Sequence, residues 1–278
     1  MSRRRQNTQL FALPAPPPQE ITIAGATYRL ARVFKHDFYA ATTLYEAVGA
    51  TGAAPADKIV VKFYRAQPFC GLPLAWLGRL SRDHERAIYA ALEGVQGVPR
   101  WLGCVGQTGF AVEYIDARTL HHGDPVPSGY FDRMQAILQA VHARGVAYVD
   151  ADKRSNMLVG AGGQAFLIDF QIAIRRRDDW PWPLRPVAAR LVRYVQDKDL
   201  YHLYKHKRRL APDELTPEEQ RLSRRRAGWH WLHRKLTKPY RAIRRWFLQR
   251  QYRTGRLVSP TQALEDPHQG ESDAWRNP

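Results

Sequence analysis

Short apolar strands that end on aspartates, joined by a glycine-rich turn, constrain this chain more than any other feature. Val146-Ala-Tyr-Val149 runs into Asp150, and a loop carrying Asp152, Lys153 and Asn156 follows. The apolar run Met157-Leu-Val159 comes next, then Gly160-Ala-Gly-Gly163, then Phe166-Leu-Ile168 ending on Asp169. Apolar runs separated by clustered glycines predict a β-hairpin, which here joins the two acidic loops.

The chemistry of those loops is specific. Mg²⁺ takes oxygen ligands and is commonly held by one or two protein groups plus phosphates and water. The carboxamide of Asn156 and the carboxylate of Asp169 suit that task. A further carboxylate near them can present a base to a hydroxyl beside a nucleotide triphosphate. Each residue alone has a plainer reading. An aspartate after a strand is more often a turn former or helix cap, Lys62 alone could reach solvent, and Glu85 alone could be a solvated helix residue. The ordered recurrence of Lys62, Glu85, an apolar strand ending at Glu113, Asp150, Asn156 and Asp169 favours a nucleotide site.

These residues resemble the protein-kinase superfamily, whose catalytic loop reads H-R-D-L-x-x-x-N and whose metal loop reads D-F-G. The resemblance covers residues 25 to 175. Ile59-Val-Val61-Lys62-Phe-Tyr64 is similar to V-A-I-K, and strand alternation puts Val60, Lys62 and Tyr64 on one face. In Asp83 to Leu92, Glu85 shares a helical face with Ile88, Tyr89 and Leu92. The resemblance implies that Lys62 holds phosphates, that Glu85 orients it, and that the backbone from Glu113 to Ile115 meets adenine. It implies a metal site at Asn156 and Asp169, a catalytic base at Asp150, and Lys153 reaching the transferring phosphate. ATP and Mg²⁺ are the implied cofactors. The implied fold is α+β and bilobal, with a small β-rich N-lobe and a mainly helical C-lobe. A phosphotransferase acting on a hydroxyl is the expected activity, its acceptor a Ser/Thr protein side chain or a lipopolysaccharide-type sugar.

Three departures accompany the resemblance. The kinase loop places its aspartate five positions before the asparagine, whereas Asp150 stands six before Asn156 and Asp152 four before. Asp150 is favoured because it ends a strand; Asp152 takes the site if the loop is tightened by one residue. No G-x-G-x-x-G is present, and the matching turn is Phe34-Lys35-His36-Asp37-Phe38. Lys35 and His36 contact phosphates by charge there, or the turn only shields the nucleotide. Gln171 replaces the glycine of D-F-G, and no A-P-E follows. In these respects the chain is similar to the RIO-type and lipopolysaccharide-core sugar kinases, which have shortened C-lobes. The alternative is a catalytically inactive nucleotide-binding module or scaffold, a pseudokinase acting through its basic segment.

Charge is unevenly placed. The 278 residues carry a net +17, and Leu203 to Arg253 alone holds sixteen Lys/Arg against four Asp/Glu. Spacing predicts a helix from Trp229 to Tyr252, with Leu232, Leu236, Tyr240, Ile243 and Phe247 on one stripe. Three readings compete for it: packing on the C-lobe, contact with an anionic membrane surface, and nucleic-acid binding, which ranks last for want of a recognised motif. Residues 1–20 read as a disordered Pro-rich basic arm, 21–115 as the N-lobe, 116–253 as the C-lobe with the basic segment, and 254–278 as a polar tail. No apolar run approaches a membrane span, and Cys70 and Cys104 form no metal spacing. The expected location is cytoplasmic, with a peripheral position at the inner membrane face as its extension.

Overall fold

The computed structural model describes residues 11–49, 55–120, 125–176, 179, 181–182 and 184–224. The predicted helix at 229–252 and the tail at 254–278 lie outside them. Strands β1 (Glu20–Ile23), β2 (Ala26–His36), β3 (Ala40–Ala47) and β4 (Lys58–Tyr64) come first, then helix α1 (Ala75–Ala91), β5 (Trp101–Val105), β6 (Gly109–Glu113) and β7 (Ala117–Thr119). Helix α2 (Tyr130–Ala143), β8 (Val146–Ala147), β9 (Met157–Gly160), β10 (Ala165–Leu167), β11 (Ile174–Arg175), α3 (Leu184–Leu210) and α4 (Pro217–Arg224) complete the order. The class is α+β, with the strand-rich part first and the helices concentrated later.

Two compact units emerge. The described part of the first comprises residues up to 82 together with 102–112; that of the second comprises 83–101 and 113–224. The expected boundary at residue 115 therefore moves. Residues 83–101 join the later unit because His84 Nε2 bonds the Ala173 carbonyl at 2.9 Å, Tyr89 stacks edge-on against Phe170, and the Leu167 amide bonds Gly97 O.

The first unit is built on a six-stranded sheet ordered β1-β2-β3-β4-β6-β5. Alternation along β4 buries Ile59, Val61 and Phe63 on one face, where they join Ile21, Ile23, Tyr28, Ala41, Tyr45, Val105 and Ala111. Each buried Ile, Val or Phe among them contributes about 1.5–3 kcal/mol by leaving water. Residues 11–20 differ from the arm expected of them. Ala12 is fully buried, accepts bonds from the Ala66 and Gln67 amides, and donates to Asp37 O; the Tyr45 hydroxyl bonds Pro18 O. Helix α1 also begins at Ala75, well before the helical segment Asp83 to Leu92 read from the sequence.

In the second unit the apolar stripe Met134, Ile137, Leu138 and Val141 lies on the buried face of α2. The predicted hairpin is β9 paired antiparallel with β10, and β7 lies on its other side. Strand β8 is only two residues long and pairs with β11. In α3 Val192 is buried but its apolar neighbour Leu191 is 56% exposed. The inward side is instead set by Val192, Asp199, Leu203 and His206. Lys207 is 2% exposed and bonds Asp132 at 2.7 Å and Glu219 at 2.9 and 3.0 Å. It thereby ties α2, α3 and α4 together, and those bonds lift its pKa although burial opposes them.

Candidate functional site

Strand β8 stops at Ala147, and the next two residues are held from α3. The Asp199 carboxylate, fully buried, accepts the Tyr148 amide at 2.7 Å, the Val149 amide at 2.8 Å and His142 Nε2 at 3.0 Å. Val149 has φ of 73°, a left-handed conformation that costs a β-branched residue about 1–3 kcal/mol. Hydrogen bonds to a charged acceptor are each worth about 1.5–3 kcal/mol. The carboxylate thus offsets the strain and fixes the direction in which the chain leaves toward Asp150.

Tyr148 links this loop to the other acidic loop. Its buried hydroxyl donates to the Ile168 carbonyl, one residue before Asp169. Burial raises its pKa well above the ordinary tyrosine value, and the carboxylates of Asp169 and Asp150 push it further. The Ile168 amide bonds the Asn156 carbonyl at 3.1 Å. Both loops are therefore joined through backbone and phenol.

Asp150, with a side chain 13% exposed, is the centre of the first loop. Its Oδ2 accepts Lys153 Nζ at 2.7 Å and Asn156 Nδ2 at 3.1 Å. The Lys153 amide closes the turn onto Asp150 O at 3.0 Å. Among the described residues nothing donates to its Oδ1, so that oxygen faces its surroundings with a lone pair available. Because Asn156 donates through its nitrogen, its oxygen is the accepting end, met by a long 3.5 Å contact from the Ser155 hydroxyl.

Asp152 takes another direction. Its Oδ1 contacts His202 Nδ1 at 3.0 Å and Lys205 Nζ at 2.8 Å, both from α3. His202 first, then Lys205, hold its carboxyl well below the usual range, with burial opposing them. The side chain is 59% exposed, so solvent screens these pairs. Between the two acids, Ala151 is fully buried and its carbonyl lies 3.1 Å from His206 Nε2. Burial lowers the His206 pKa to about 4. Asp150, Lys153 and Asn156 are thus brought together, while Asp152 is engaged with α3.

Asp169 follows β10 with φ of 62°, and its Oδ1 lies 3.4 Å from the Gln171 amide. Gln171 itself is not among the residues of positive φ. Only its backbone N–H is used in this turn, so nothing there demands glycine. The oxygens of Asn156 and Asp169 are hard donors, and the Asn156 carbonyl itself is bonded to Ile168, one residue before Asp169. That donor set fits Mg²⁺, which leaves most of its shell to phosphate and water.

The remaining expected residues are distributed over both units. In the first, Lys62 is half-buried on β4, opposite the face of Ile59 and Val61, with Nζ 5.2 Å from the Tyr64 ring. Lys35 lies inside β2 rather than in a turn and pairs with Asp37 at 2.9 Å. Asp37 also accepts the Tyr39 and Ala40 amides, which closes that hairpin. In the second unit Glu85 is 1% exposed on α1. Glu113 lies 3.5 Å from Arg100 Nε and its amide bonds Arg100 O, while Ile115 is half-buried just beyond.

Sequence reasoning missed Asp199, His202, Lys205 and His206. Their signal was an acid on the apolar stripe Val192, Asp199, Leu203, His206, where only a paired charge is tolerated.

No family model and no curated protein matches the chain. Solved structures do. The chain is similar to Rio2 kinase. One Rio2 structure from Chaetomium thermophilum, an ADP/Mg²⁺-phosphoaspartate complex, matches at a TM-score of 0.44 and 16% identity over 68% of this chain. A second Rio2 structure from the same organism matches at 0.45 and 16% over 69%. The chain spans 56% and 62% of those two chains. Similarity at this level bears on neither activity nor substrate, which rest on the residues described above.

Proposed function

We propose that the chain is an ATP- and Mg²⁺-dependent phosphotransferase of protein-kinase-like type, transferring the γ-phosphate to a hydroxyl. The observation that carries this reading is the Asp150 carboxylate. One oxygen is held by Lys153 and Asn156, the other is open, and its loop is bonded to the strand end that bears Asp169. In this role Asp150 aligns the acceptor hydroxyl and takes its proton through the open Oδ1. Lys153 sits on the same carboxylate, so its ammonium can follow charge that develops on the transferring phosphoryl group. Asn156 and Asp169 would hold Mg²⁺, which when bound neutralises charge on the triphosphate.

Lys62 is assigned to the phosphates, Glu85 to its orientation, and the backbone of Glu113 to Ile115 to adenine. Lys35 is a weaker phosphate ligand because Asp37 already neutralises it. The acceptor is a Ser/Thr side chain or a lipopolysaccharide-type sugar. A second reading, a nucleotide-binding module without transfer, is favoured by that same Lys35–Asp37 pair and by the absence of a glycine loop. The two are separated by a thermal-shift titration with ATP, with and without Mg²⁺, followed by measurement of ADP release. Mg²⁺-dependent stabilisation with ADP release that Asp169→Asn abolishes supports transfer. Stabilisation with no ADP release under any acceptor supports the module.

A further inference from the structure

Between Asp57 and Asp83 the chain contains no acidic residue, and its middle reads Phe69-Cys-Gly-Leu72-Pro-Leu74-Ala-Trp76-Leu77-Gly-Arg79-Leu80. Such a run would ordinarily be core. Here Leu72 is 63% exposed, Trp76 56%, Leu77 43% and Leu80 59%. This face belongs wholly to the first unit. Nothing in the proposed chemistry uses it.

The exposure is built in. Phe69 and Leu72 exchange both backbone bonds at 3.0 Å across Cys70 and Gly71, whose φ values are 51° and 79°. That is the geometry of a tight hairpin turn, with both central residues left-handed. Beneath it Arg65 is 4% exposed, donates to Phe11 O, Phe38 O and Pro68 O, and stacks 3.8 Å over the Phe38 ring. The turn therefore stands on a fixed base and presents Leu72 outward. Helix α1 is fixed in the same way. At Gly78 a Cβ would lie 2.2 Å from Arg65 O, so the helix meets the end of β4 through its glycine. At 100° per residue, Trp76 and Leu80 then point away from that contact and Leu77 lies beside them.

The geometry points to this face, the Leu72 turn with Trp76, Leu77 and Leu80 of α1, as a docking surface for an anionic lipid bilayer. Its charge argues for that occupant. Arg79 rims the leucines, no acid lies within the segment, and the whole chain carries +17, which draws it to anionic headgroups. A tryptophan with leucines on one short helix face, and arginine at its edge, matches the boundary between headgroups and acyl chains. Three leucines with one aromatic offer no stacking platform for nucleic acid.

The test uses the full chain and sedimentation with vesicles of phosphatidylcholine alone, or containing about one-third phosphatidylglycerol. Binding should require the anionic lipid. Part of it should survive about 1 M salt, where charge attraction is screened beyond about 3 Å. Trp76→Ser with Leu80→Ser should lower partitioning about tenfold or more and remove the salt-resistant part. Binding carried by the basic segment beyond residue 224 would ignore these changes. Leu72→Ser, at the turn, should give a smaller loss and carries the test if the double variant melts differently from the parent. The proposal is overturned if the parent stays in the supernatant, or if the variants bind like the parent. It is also overturned if the parent self-associates without lipid and the double variant disperses it. The phosphotransferase reading is untouched by any of these results, because ADP release is measured without vesicles.

Discussion

Replacing Asp199 by asparagine isolates the device that sets the loop bearing Asp150. The side chain keeps its shape but loses its charge and one acceptor oxygen. Asp199 now accepts three donors, the amides of Tyr148 and Val149 and the ring nitrogen of His142. An amide oxygen can still take the bonds on one side, but the amide nitrogen meets a backbone N–H that has no other acceptor. At least one buried donor is stranded, at about 1–3 kcal/mol, and the remaining bonds lose their charge assistance. The expected cost is about 3 kcal/mol, which for a chain of this size lowers Tm by about 6–12 °C. Val149 then keeps its strained φ without its anchor, so turnover should fall more than nucleotide affinity. The assay is urea unfolding, thermal melting and steady-state ADP release on the same preparation, with Asp199→Glu as a charge-preserving control. A variant that melts within about 1 °C of the parent and turns over equally would refute the claim that this carboxylate fixes the loop.

Asp150→Asn should reduce phosphate transfer by about 10²–10⁴-fold, whereas Asp152→Asn should leave it within a few-fold; the reverse order in an ADP-release assay would reassign the base to Asp152. Lys207→Met leaves Glu219 buried opposite a neutral side chain and should cost about 3 kcal/mol in urea unfolding. An unchanged midpoint would mean that the three-helix junction does not depend on the ammonium. His206 is neutral in the folded chain, with a pKa near 4 against an ordinary value of about 6.5. The unfolded chain binds more protons between those values, so stability is full above about pH 6.5 and declines by about 3 kcal/mol as pH falls through 4. His206→Gln should flatten that decline. Asp152, Lys205 and Arg154 also act on this ring, so the comparison is made at constant ionic strength.

The parts of the fold that were legible in sequence are those where one local rule acts alone. Alternation along Ile59 to Tyr64, the stripe on α2 and the glycines of the β9–β10 turn each report local geometry, and each element is found. Less legible were elements whose positions depend on distant partners. The early start of α1 depends on Gly78 meeting Arg65, and the attachment of residues 11–20 depends on the amides of Ala66 and Gln67. Within the candidate site, the sequence left Asp150 and Asp152 as alternatives because spacing alone cannot say which carboxylate an unseen helix will occupy. His202 and Lys205 lie about fifty residues downstream and take Asp152. Gln171 looked like a defect only because the glycine of D-F-G suggests a special φ, and Gln171 does not have a positive φ.

The Asp199 anchor has a consequence for how this loop tolerates change in length. Both held amides precede Asp150, so the point from which the acid projects is set upstream of any variation. A residue gained between Asp150 and Asn156 is absorbed downstream, where Ala151 tucks inward and Asp152 swings onto the helix. The loop can therefore lengthen or shorten beyond Asp150 while that carboxylate stays in register with its strand.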